Sequence, residues 1–108
     1  MRHEIDLTKK EWDGVRCQEL EVARGELIEI RLEALPGTGY SWLLAVLGEG
    51  CVLHGLDIEA ADEGEGADAP ASFTFGFAIT GEPGGEIVLR KQRLREEGPI
   101  ASLSIALR

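Results

Sequence analysis

The feature that most constrains this chain is the run Phe73-Thr74-Phe75-Gly76-Phe77-Ala78-Ile79-Thr80. Large apolar and small residues alternate strictly along it. Side chains on a strand point to opposite faces in turn, so three phenylalanines and an isoleucine share one face and small residues the other. Burying each large side chain is worth ~1.5–3 kcal/mol, so this strand is a main source of core stability. A half-buried strand needs partners and an opposing layer, and the sequence supplies candidates on both sides. Ile28, Ile30 and Leu32 alternate with Leu27, Glu29 and Arg31. Trp42, Leu44 and Val46 repeat the pattern, with Leu43 and Leu47 making both faces apolar, as in a strand from the middle of a sheet. Further strands are predicted at Gln18–Val22, Val52–Ile58 and Glu86–Arg93, and through Leu103, Ile105 and Leu107. About seven strands and glycine-rich turns predict an all-β fold, a sandwich or a small barrel.

Length permits one domain with two packed layers. Residues 1–17 read as an N-terminal extension packed on the edge, and 18–108 as the sandwich. Leu7 to Trp12 could form one helical turn capped by Thr8, with Glu11 completing a capping box. The net charge of −9 and pI near 4.6 argue against nucleic acid or an anionic membrane as partner, since both would repel the chain. No apolar run approaches the ~20 residues of a membrane-spanning helix. The N-terminal residues lack an apolar signal core, so the expectation is cytoplasmic, or a secreted form already trimmed.

Catalysis is not expected. Cys17 with His54 is the one nucleophile–base pairing available, and neither neighbourhood suggests activation. With no Cys-x-x-Cys and no clustered histidines, neither metal nor cofactor is predicted. The two cysteines read as free thiols.

Between two of the strands lies Leu35-Pro36-Gly37-Thr38-Gly39-Tyr40-Ser41-Trp42. Pro36 fixes its own φ and pushes Leu35 toward an extended conformation, while the glycines allow angles a side chain forbids. Such a loop is shaped, and its methyl, hydroxyl and aromatic groups suit contact with another surface; Tyr40 and Trp42 could equally cap a core. Residues 60–70 form a second loop with four carboxylates (Asp62, Glu63, Glu65, Asp68) and no aliphatic residue larger than alanine. A third follows the basic run Arg90-Lys91-Gln92-Arg93-Leu94-Arg95.

The block Val22–Leu32 followed by Leu35–Trp42 resembles the chagasin-type inhibitors of papain-like cysteine peptidases. In that family a glycine–glutamate–apolar strand enters an Asn-Pro-Thr-Thr-Gly-aromatic-x-Trp loop. Pro36, Thr38, Gly39, Tyr40 and Trp42 keep its order and spacing, whereas Leu35 replaces the asparagine and Gly37 the first threonine. The resemblance implies an immunoglobulin-like antiparallel sandwich and a monomer that inhibits such a peptidase. It implies contact through Leu35, Pro36, Gly37, Thr38, Gly39, Tyr40 and Trp42. The family's Gly-x-Gly-Gly loop falls on Gly66-Ala67-Asp68-Ala69, which keeps Gly66 alone. Its Arg-Pro-Trp falls on Arg93-Leu94-Arg95, so Arg93 and Arg95 would flank the cleft. Two other readings stay open from the residues: a non-inhibitory immunoglobulin-like binding module, and a dimer joined through strand edges.

Overall fold

The structure, a computed structural model, describes residues 2–7, 14–34, 39–59, 71–93 and 100–108. Its elements are β1 (Arg2–Asp6), β2 (Gly14–Leu20), β3 (Leu27–Ala34), β4 (Tyr40–Leu47), β5 (Cys51–Glu59), β6 (Ala71–Ile79), β7 (Glu86–Arg93) and β8 (Ala101–Leu107). They build two four-stranded sheets, β1-β3-β6-β5 and β2-β8-β7-β4.

The period-two pattern decides what lies between the sheets. Phe73, Phe75, Phe77 and Ile79 of β6 face inward beside Ile28, Ile30 and Leu32 of β3. Ile87 and Leu89 of β7, Leu103, Ile105 and Leu107 of β8, and Trp42 of β4 are buried with them. Phe75 and Phe77, two residues apart on one face, lie with nearly parallel rings and centroids 6.4 Å apart. No polar or charged residue is buried among the described residues. The core therefore holds by apolar packing, with the polar residues of each strand left on the outer faces.

Three expectations change. Eight strands are present among the described residues and not about seven, because the N-terminal stretch, expected to pack on the edge, itself supplies an edge strand to each sheet. His3, within the expected N-terminal extension, is paired with Ile28 inside β1. The strand expected at Gln18–Val22 is observed as Gly14–Leu20. The helical turn expected around Thr8 and Glu11 lies outside the described residues.

The second change is direction: β1 runs parallel to β3, and β2 parallel to β8. The other pairings are antiparallel, as expected. Parallel neighbours need a long connection. Here β2, in the opposite sheet, intervenes between β1 and β3, and nearly the whole chain separates β2 from β8.

The third concerns β4, which is an edge strand and not a central one. Its two-sided apolar character has a local cause. The register slips between Leu44 and Val46, so Trp42 and Leu44 turn toward the core before the bulge and Leu47 follows the same face after it. Val46 then lies on the outer face opposite Val88. The first sheet ends similarly at β5, where the register slips between Leu53 and Gly55.

At one end of the sandwich the turns close tightly. Gly25 donates to the Ile79 carbonyl at 2.8 Å and Thr80 to the Gly50 carbonyl at 2.9 Å. Gly50, at φ +75°, comes so near the 81–82 backbone that an added Cβ would stand 2.5 Å from the Glu82 oxygen. Only glycine fits there.

Candidate functional site: a braced loop root

The opposite end collects the connections from β3 to β4, from β5 to β6 and from β7 to β8. Ala34 pairs with Ala71, and Glu59 with Ser72, so β3, β5 and β6 open together in one sheet. Tyr40 pairs with Arg93 and Lys91 with Ala101, so β4, β7 and β8 open together in the other. The segments 35–39, 60–70 and 94–100 therefore depart from one end. That gathering is a consequence of strand pairing, since each loop joins neighbours whose register is fixed by the buried rows beneath it.

The first loop is tied at its base. Trp42 is 3% exposed and its indole N–H donates to the Glu33 carbonyl at 2.9 Å. Because Glu33 belongs to β3 and Trp42 to β4, this bond links the strand entering the loop to the strand leaving it, across the two sheets. Sequence reading placed Trp42 among the contact residues. Burial turns its role inward, to support beneath the loop. Glu33 was not anticipated at all, since a carbonyl acceptor leaves no trace in side-chain identity.

At the outgoing side, Gly39 has φ +88°, a conformation that side-chain-bearing residues rarely adopt. The stem of Arg93 lies along it, with Cγ 3.6 Å, Nε 3.7 Å and Cδ 3.8 Å from where a Cβ would stand. The guanidinium carbon continues over the Tyr40 ring at 4.6 Å from its centroid, within the range of a cation–π contact. Tyr40 and Arg93 are both half-buried. The structure thus brings Gly39, Tyr40, Trp42 and Arg93 together at the loop root. Leu35, Pro36, Gly37, Thr38, Gly66 and Arg95 lie outside the described residues.

Nothing in this assembly resembles bond-making machinery. Cys17 is exposed on β2 and His54 exposed on β5, edge strands of different sheets. Cys51 is buried, and burial pushes its thiol up, away from the reactive thiolate. Among the described residues no three of His, Cys, Asp or Glu are placed to share a metal ion. A scaffold that is built of strands among the described residues, with a braced loop root at its open end, fits a loop-presenting binding protein.

The sequence makes the class specific. The model of the chagasin family of peptidase inhibitors, I42, matches residues 21–107, and the chain belongs to that family. Similar solved structures include the cysteine protease inhibitor EhICP2 from Entamoeba histolytica. It has a TM-score of 0.73 at 22% identity, with 99% of this chain and 96% of that chain covered. Amebosin aligns with a TM-score of 0.59 at 24% identity over 98% of both chains. PbICP-C, solved in complex with falcipain-2, aligns with a TM-score of 0.60 at 16% identity over 97% of both. At these identities the structures establish the shared fold. No curated protein sequence matches the chain.

Proposed function

We propose that this protein is a reversible inhibitor of papain-like cysteine peptidases, and that the 35–41 loop enters the active-site cleft with the 60–70 and 94–100 loops beside it. The observation that carries the reading is the bracing of the loop root by Trp42, Gly39 and Arg93. Family membership supports the class of target, as does the PbICP-C complex with falcipain-2.

A peptidase cleaves segments that settle into an extended form in its cleft. A loop whose ends are fixed, whose entry is set by Pro36 and whose exit is set by Gly39 resists that form. With its root already fixed, it also has less conformational freedom to lose on docking than a free segment. In this reading the glycine backbone approaches the peptidase thiol and Thr38 hydrogen-bonds near the catalytic centre. Leu35 and Tyr40 cover adjacent apolar ground, and Arg93 with Arg95 flanks one side of the cleft.

Titration of active-site-calibrated papain with the purified protein tests this directly. The expected result is reversible, stoichiometric loss of activity with the inhibitor recovered intact. Full activity at micromolar inhibitor would overturn it.

A further inference from the structure

We infer that Arg93 is a positioning residue, which acts on the target through Tyr40 and Gly39 by fixing how the first loop leaves the scaffold. The inference rests on the inhibitory reading above and assigns Arg93 a different part from the flanking contact that its match to the family's Arg-Pro-Trp suggests.

Strand register sets the arrangement. Tyr40 is the first residue of β4 and Arg93 the last of β7, and they are direct partners across the ladder. Both side chains therefore emerge on the same face at the open end. The Arg93 stem fills the space that the missing Gly39 side chain leaves, and its guanidinium covers the Tyr40 ring. One side chain thus touches the hinge of the loop and its aromatic shoulder together. Lysine could supply the charge but not the planar, delocalised group that stacks on a ring. The contact also joins the first loop's root to the end of the strand that leads into the third loop, so the roots of the two loops are fixed relative to each other.

A direct contact and a positioning role predict different couplings. If Arg93 works through Tyr40, its removal matters only while Tyr40 is present; if it touches the peptidase, its removal matters in either background. The test is a cycle of wild type, Arg93→Ala, Tyr40→Leu and the double variant, assayed for inhibition of papain. Arg93→Ala alone is expected to weaken inhibition roughly three- to thirty-fold, the span that a cation–π contact corresponds to. In the Tyr40→Leu background the same change is expected to do almost nothing, and Arg93→Lys should behave nearly like Arg93→Ala. Equal losses in both backgrounds, or no loss in either, overturn the inference.

A second measurement uses the free protein, so it does not depend on the target. Amide hydrogen exchange at residues 39–41 should accelerate in Arg93→Ala while exchange in β6 stays as in wild type, which also confirms that the variant is folded. Unchanged exchange at 39–41 overturns the positioning role. If wild type fails to inhibit papain, the functional reading falls, and the exchange result still decides what Arg93 does.

Discussion

At the scale of single residues, the side chains that organise the molecule do so by linking strands that are far apart in sequence. Glu26 is an example at the closed end. Its carboxylate accepts from His3 Nε2 at 3.2 Å and from the Ala23 backbone N–H at 2.6 Å, tying β1 to the turn that precedes β3. The histidine bond first, and the backbone N–H second, hold its carboxyl below the usual carboxylate range. A carboxylate whose pKa is lowered by folding contributes stability that is complete above its unfolded pKa of ~4.3 and fades as pH falls through the folded value. Melting curves between neutral and acidic pH should therefore show a loss below ~pH 4.3 to which Glu26 contributes. Glu26→Gln should lower the melting temperature at neutral pH and flatten that part of the acid limb. An acid limb identical to wild type would exclude the pair as a contributor. Trp42 plays the corresponding part at the open end, where an interior indole and one carbonyl hold the loop's two ends together.

At the scale of elements, the eight strands divide by what faces them. β6 has a strand on each side in its own sheet and the opposite sheet across the core, so its four large side chains are buried. β5 is an edge strand, and Val52, Leu53, Leu56 and Ile58 remain 42–56% exposed although the sequence there is just as apolar. Its bulge, like the one in β4, takes an edge out of regular register, which discourages pairing with another sheet. The energetic consequence is a contrast between chemically similar changes. Phe75→Ala should cost about 3–5 kcal/mol in urea unfolding, because it empties the middle of the core. Ile58→Thr should stay within about 0.5 kcal/mol. Comparable losses for the two would mean that β5 is covered more completely than its exposure indicates.

At the scale of the whole molecule, the two ends have different work. One is locked by backbone packed on backbone, and the other presents loops from a common rim. Because a single apolar core joins them, unfolding should be one cooperative transition. The native contacts at the two ends nonetheless remain separable. Gly50→Ala forces a Cβ to within 2.5 Å of the Glu82 carbonyl and strains a φ of +75°. It should destabilise the fold by about 2–4 kcal/mol. Below its lowered melting temperature it should inhibit as wild type does, since the loop roots lie at the other end. A large change in inhibition constant without a change in stability would contradict that separation.

Much of this architecture follows from local pattern. Alternation alone identified the inward rows of β3, β6 and β8, because a period of two leaves a strand no choice about which residues share a face. The loop block Pro36–Trp42 likewise carried its family resemblance in the sequence, as a spacing of proline, glycine and aromatic residues. β1 was not legible, since Arg2-His3-Glu4-Ile5-Asp6 offers one aliphatic residue and no recurring pattern. Its place is set by pairing with β3 and by Arg2 and His3 meeting Glu29 and Glu26. The edge position of β4 was hidden for a related reason: an apolar residue looks the same in sequence whether a neighbour covers it or a bulge has turned it aside. The sequence by itself determined which residues β3, β6 and β8 would bury and that a proline- and glycine-bearing loop would join β3 to β4. Tertiary structure alone decided that Trp42 would brace that loop from within and that Arg93 would lie across Gly39 and Tyr40. Those contacts depend on the register between strands distant in the chain, and register is a property of the assembled sheets.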